Sequence, residues 1–65
     1  MILKIKHGHS WTFIDNVEDV TKEMENELQS TGFISYWRND KRLTQRVDEG
    51  CYLLSDKGQT IERIA

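Results

Sequence analysis

The sequence predicts an α+β domain, a small antiparallel sheet of about four to five strands with one helix packed on one face. Three observations carry this expectation. Residues 52–64 read as a β-hairpin with its turn written in: Asp56 and Lys57 suit a type I turn, and Gly58 supplies the left-handed residue of a G1 bulge. Residues 2–7 and 11–14 alternate in the period of half-buried strands around Gly8-His9-Ser10. Between these ends, Val17, Val20, Met24 and Leu28 recur at the spacing of a narrow apolar stripe on a helix.

The first two strands admit two registers. If Gly8, His9 and Ser10 form the loop, His7 faces Trp11 and Ile5 faces Phe13. Leu3, Ile5, Trp11 and Phe13 then share one face, and Lys4, Lys6 and Thr12 the other. A two-residue Gly8-His9 turn suits type II′ chemistry better, and would set Lys6 opposite Trp11 and Lys4 opposite Phe13. The three-residue loop is preferred, because burying one continuous apolar face is worth more than an ideal turn.

The helix is expected to start at Asp15 or Asn16, where Asp15 and Glu18 resemble a capping box. Acids crowd its first turns, as the helix dipole favours, and Gly32 ends it. Val17 and Val20 are poor helix formers, so an extended first turn is the alternative. Residues 33–38 read as a third strand and Asn39-Asp40-Lys41 as a turn. Residues 43–47 read as a short fourth strand or irregular chain, and Asp48-Glu49-Gly50 as a further turn. The terminal hairpin follows, giving Leu53 and Ile61 to one sheet face.

At 65 residues the chain is a single compact domain, 1–65, with a modest core. Its one cysteine, Cys51, allows no internal disulfide and fits a reducing compartment or an intermolecular bridge. Met1–Lys6 lacks the apolar run of a signal peptide, and no stretch approaches the ~18 residues of a membrane span. The expectation is a cytoplasmic protein with no membrane partner. The net charge is −2, but it is unevenly spread. Asp15, Glu18, Asp19, Glu23, Glu25 and Glu27 face only Lys22 between positions 15 and 27, whereas Arg38, Lys41, Arg42 and Arg46 face only Asp40. The two blocks are either solvated faces or complementary patches.

Chemistry-bearing patterns are sparse. His7 and His9 lack companions at metal-ligand spacing, so no metal and no cofactor is expected. Cys51 precedes an apolar strand and reads as a buried thiol. There is no phosphate loop, nucleophile elbow or Cys-x-x-Cys, and no enzyme is expected. The informative pair is Tyr36 and Trp37. Neighbours on a strand point to opposite faces, so one of them is left exposed beside a basic turn. Tyr36, Trp37, Arg38, Lys41, Arg42 and Arg46 are therefore the candidate interaction residues. They suit a protein contact, in a homo-oligomer or with a foreign protein. The alternative is a single-stranded nucleic acid, with Trp11 and Phe13 as further stacking residues. The acidic balance favours protein over nucleic acid.

At both ends the chain resembles small uncharacterised proteins of low-GC Gram-positive bacteria and their phages. The shared pattern is a Lys-rich first strand, a Gly-containing turn, Trp11-Thr12-Phe13-Ile14-Asp15-Asn16-Val17, and a last hairpin of Tyr52-Leu53-Leu54, turn and Thr60-Ile61-Glu62-Arg63-Ile64. The resemblance implies a small accessory protein, phage- or plasmid-borne, that modulates a host protein. It carries no catalytic residue with it.

Overall fold

A computed structural model describes all 65 residues and has the α+β class. The elements run β1 (Ile2–His7), β2 (Ser10–Ile14), α1 (Lys22–Thr31), β3 (Phe33–Arg38), β4 (Lys41–Arg46), β5 (Gly50–Leu54) and β6 (Thr60–Arg63). The six strands exceed the four or five expected, and they form two antiparallel sheets rather than one. The larger has the order β2-β1-β5-β6; the smaller is the β3-β4 hairpin.

The first hairpin overturns the preferred register. His7 pairs with Ser10, Lys6 with Trp11, Ile5 with Thr12 and Lys4 with Phe13. Gly8 alone in the turn has positive φ, at 59°, the pattern of a type II′ turn. Turn geometry prevailed because β2 is an edge strand, where the apolar face costs least to forgo. Thr12 and Ile14 take the inner side with Leu3 and Ile5, and Trp11 and Phe13 turn outward with Lys4 and Lys6.

The helix also starts later than expected. Thr21 is its N-cap, and the Thr21 hydroxyl accepts the Met24 N–H at 3.2 Å. No capping box forms at Asp15. Residues 15–21 instead cross from one sheet to the other, and several of their backbone groups bond to the strands on either side. The Val17 N–H donates to the Met1 carbonyl at 2.9 Å; the Glu18 N–H donates to Trp37, and the Trp37 N–H to Asp19. Val17 and Val20 are buried all the same, because loop residues held at both ends deliver side chains to a core as well as a helix does. The helix ends as expected at Gly32, left-handed with φ 77°, whose N–H donates to the Leu28 carbonyl.

The β3-β4 turn is Asn39-Asp40, both left-handed (φ 53° and 60°), as a type I′ turn requires. The Glu18 carboxylate accepts the Asp40 N–H at 3.0 Å and ties the turn to the crossing segment. In the terminal hairpin, Gly58 adopts φ 86° and donates to the Ser55 carbonyl, the turn read from the sequence. The ladder then slips, with Leu53 paired to Glu62 and Leu54 to Thr60. Ile61 is the bulged residue and lies exposed, so it does not share a face with Leu53 as expected.

One core joins these parts. Leu3, Ile5, Cys51 and Leu53 of the larger sheet meet Met24 and Leu28 of α1, Ile34 and Tyr36 of β3, and Val17, Val20 and Ile64. No helix is long and apolar enough to cross a membrane.

Candidate functional site

The outer face of the larger sheet follows from the three registers. Phe13 pairs with Lys4, Lys4 with Tyr52, and Tyr52 with Arg63. A single row thus crosses all four strands and alternates aromatic, cation, aromatic, cation. The next row places Trp11 beside Lys6, followed by Gly50. Trp11 and Phe13 are 41% and 61% exposed. No acidic side chain belongs to either row.

The cations lie on the rings. The Lys4 ammonium is 4.2 Å from the Trp11 ring centroid and 5.9 Å from that of Tyr52. Lys6 is 5.8 Å from Trp11, and the Arg63 guanidinium 5.8 Å from Tyr52. Trp11 and Tyr52 are themselves neighbours, 6.2 Å apart at a 52° tilt. Such contacts hold the side chains against the sheet and shade some apolar surface. Lys4 and Arg63 have no carboxylate within ion-pairing reach; Lys6 has only Glu49, at 3.7 Å.

The residues singled out from sequence do not form one surface. Tyr36 is buried, at 6% exposure, and Trp37 is the exposed member of the pair, at 37%. Cross-strand pairing puts Trp37 with Arg42, and Arg46 with Phe33, on one side of the β3-β4 hairpin. Tyr36, Arg38 and Lys41 belong to the other side. Three of the cations are engaged within the chain. Arg38 donates to Asp15 at 3.1 Å, Arg42 to Glu27 at 2.9 Å and Arg46 to Asp48 at 3.0 Å. Two of these pairs, Arg38–Asp15 and Arg42–Glu27, join the acidic and basic blocks of the sequence; Arg46 pairs outside the acidic block, and Lys41 has no ion pair.

His7 Nδ1 lies 3.3 Å from Asp48, and this hydrogen bond, aided by Arg46, holds the Asp48 carboxyl below its ordinary value. His9 is exposed in its turn, and no three His, Cys, Asp or Glu side chains converge. Cys51 is fully buried; desolvation, with Glu25 nearby, pushes its thiol up to about 11. Glu25 of α1 meets Glu62 of β6. A proton on Glu25 can be shared with the Glu62 carboxyl, and this, then burial and repulsion, raises the Glu25 pKa.

The site defines a class of surface, a flat aromatic and basic sheet face. No protein family, curated protein or solved structure matches the chain. Sequence reasoning set aside the type II′ Gly8-His9 register that pairs Lys6 with Trp11 and Lys4 with Phe13. It missed Tyr52 and Arg63, which join them through β5 and β6 and have no local signal.

Proposed function

We propose that the protein is a small non-enzymatic interaction protein that pairs with a second copy of itself through β2. The observation that carries this reading is an unguarded strand edge. The outer edge of β4 carries Lys41, Arg42 and Arg46, and that of β6 is broken by the bulge at Ile61 and flanked by Glu62 and Arg63. Charges and bulges of this kind deter strand addition. β2, Ser-Trp-Thr-Phe-Ile, has neither, and it is a terminal strand of its sheet.

In a hairpin closed by the His7–Ser10 pair, the amides of Ser10, Thr12 and Ile14 face β1, and those of Trp11 and Phe13 face the free edge. A two-fold axis beside Thr12 would bond Trp11 of one copy to Phe13 of the other. Aromatic cross-strand pairs would then form on the outer face, and the two sheets would join into one of eight strands. So short an interface implies a dissociation constant on the order of micromolar or weaker.

Sedimentation across a micromolar concentration series tests this. A dimer is expected for the natural chain. A synthetic chain N-methylated at the Phe13 amide, which loses one edge donor and keeps every side chain, is expected to stay monomeric. A natural chain that is monomeric throughout, or an N-methylated chain that dimerises equally well, overturns the reading. The accessory role toward a bacterial host protein, implied by the resemblance of the two ends, belongs to the same proposal.

A further inference from the structure

We infer that the outer face of the four-stranded sheet binds single-stranded nucleic acid, its bases stacking on Trp11, Phe13 and Tyr52 and its phosphates drawn by Lys4 and Arg63, the two cations of the face without a carboxylate partner. The row from Phe13 to Arg63 lies within one copy of the chain, so this binding does not depend on pairing through β2.

Charge is the first support. The chain as a whole is acidic, at −2, and its hairpin cations Arg38, Arg42 and Arg46 are neutralised by its own carboxylates. Lys4 and Arg63 are not, and both lie against aromatic rings on a face whose rows contain no acid. Uncompensated positive charge on an otherwise negative molecule suits a polyanion. It also confines that polyanion to this face, because the acids elsewhere repel it.

Geometry is the second. Phe13 and Tyr52 stand two strands apart, ~10 Å by the usual strand spacing, with Lys4 between them and Arg63 beyond. Aromatic rings alternating with cations match a ligand that alternates flat bases with phosphates. Base faces are available only in an unpaired strand, and a four-stranded sheet is too broad for a duplex groove that admits a helix or a two-stranded ribbon. An acidic peptide would meet the cations but leave the exposed rings without flat partners. On binding, the Lys4 ammonium would leave the Trp11 ring for a phosphate and free that ring for a base.

Fluorescence anisotropy of labelled short oligothymidylate and oligouridylate, titrated with the whole chain, tests the proposal; the tighter of the two identifies DNA or RNA as the preferred strand. Neutralising about two phosphates, at a slope of roughly −0.7 per phosphate, predicts ~7-fold weaker binding at ~200 mM than at ~50 mM salt. Trp11→Ala and Tyr52→Ala are each expected to weaken binding ~5-fold to 100-fold. Lys4→Gln, which keeps every ring and guards against a misfolded aromatic variant, should weaken binding and flatten the salt slope. Lys57→Ala, in the distant terminal turn, should change nothing. Absence of binding up to ~100 µM protein at low salt overturns the proposal. So does binding that survives Trp11→Ala and Lys4→Gln, or equal binding of a duplex or of oligoglutamate.

Discussion

Lys4 shows how a residue that reads as an ordinary surface lysine acquires a specific task. Its register neighbours are Phe13 and Tyr52, and its ammonium lies over the Trp11 ring. Cation–π contacts at exposed sites contribute ~0.5–1 kcal/mol each, enough to hold a long side chain but not to prevent its release to a stronger anion. Glu25 shows the opposite situation, a charge held where it is unwelcome. The facing Glu62 carboxyl favours its protonated form, and burial adds to the effect, so its folded pKa lies above the ordinary 4.5 while Lys22 opposes the rise weakly. A raised folded pKa means that the contact stabilises fully below 4.5 and is lost as pH rises through the folded value. Near neutrality the two carboxylates repel across the helix–sheet junction. Glu25→Gln should therefore melt a few degrees higher than the natural chain at pH 7, and the difference should vanish as the pH falls below 4.5. A thermal melt series over that range checks it, and a Gln variant less stable at neutral pH contradicts it.

The elements differ in how far the sequence announces them. Turns with left-handed residues are legible, because only a few residue types accept positive φ: Gly32 and Gly58 both do what their positions imply. The start of α1 is not legible. The stripe of Val17, Val20, Met24 and Leu28 fits a helix from Asp15, but its first two members reach the core from extended chain. What decides is long-range. The amides of residues 17 and 18 find carbonyl partners on Met1 and Trp37, and periodicity cannot register such bonds. The β1-β2 register was open for a related reason, since turn preference and burial pointed opposite ways and only the other strands of the sheet could arbitrate. The two candidate caps give a direct test. Thr21→Ala should cost ~1 kcal/mol, the usual loss for an N-cap. Asp15→Ala removes only an exposed pair with Arg38 and should cost about 0–1 kcal/mol. Urea midpoints measure both, and the reverse order would place the cap at Asp15.

At the scale of the molecule, the charge pattern of the sequence anticipated polarity but not its resolution. Acidic and basic blocks that look like patches for a partner are joined by the fold itself, through Arg38–Asp15 and Arg42–Glu27. An aromatic and basic surface whose rows hold no acid lies on the larger sheet, built from residues 4, 6, 11, 13, 52 and 63. Its members are distant along the chain and unite only through three strand pairings, so no local motif could show it. The fold class was legible because turns and alternation are local; the site was not, because it is a product of sheet order. The crossing segment between the two sheets has a consequence for how the molecule opens. Residues 17–19 carry neither helix nor regular strand, yet their hydrogen bonds fasten Met1 on one side and Trp37 on the other. Neither sheet can then detach without breaking the other's fastening, and the two should exchange their protected amides as one cooperative unit. In deuterium exchange, the amides of Val17, Glu18 and Trp37 are expected to slow to the rate of the β1 core, while those of Trp11 and Phe13 exchange fast whenever the chain is a single copy. A stretch that looks like plain loop would behave as the seam of the whole protein.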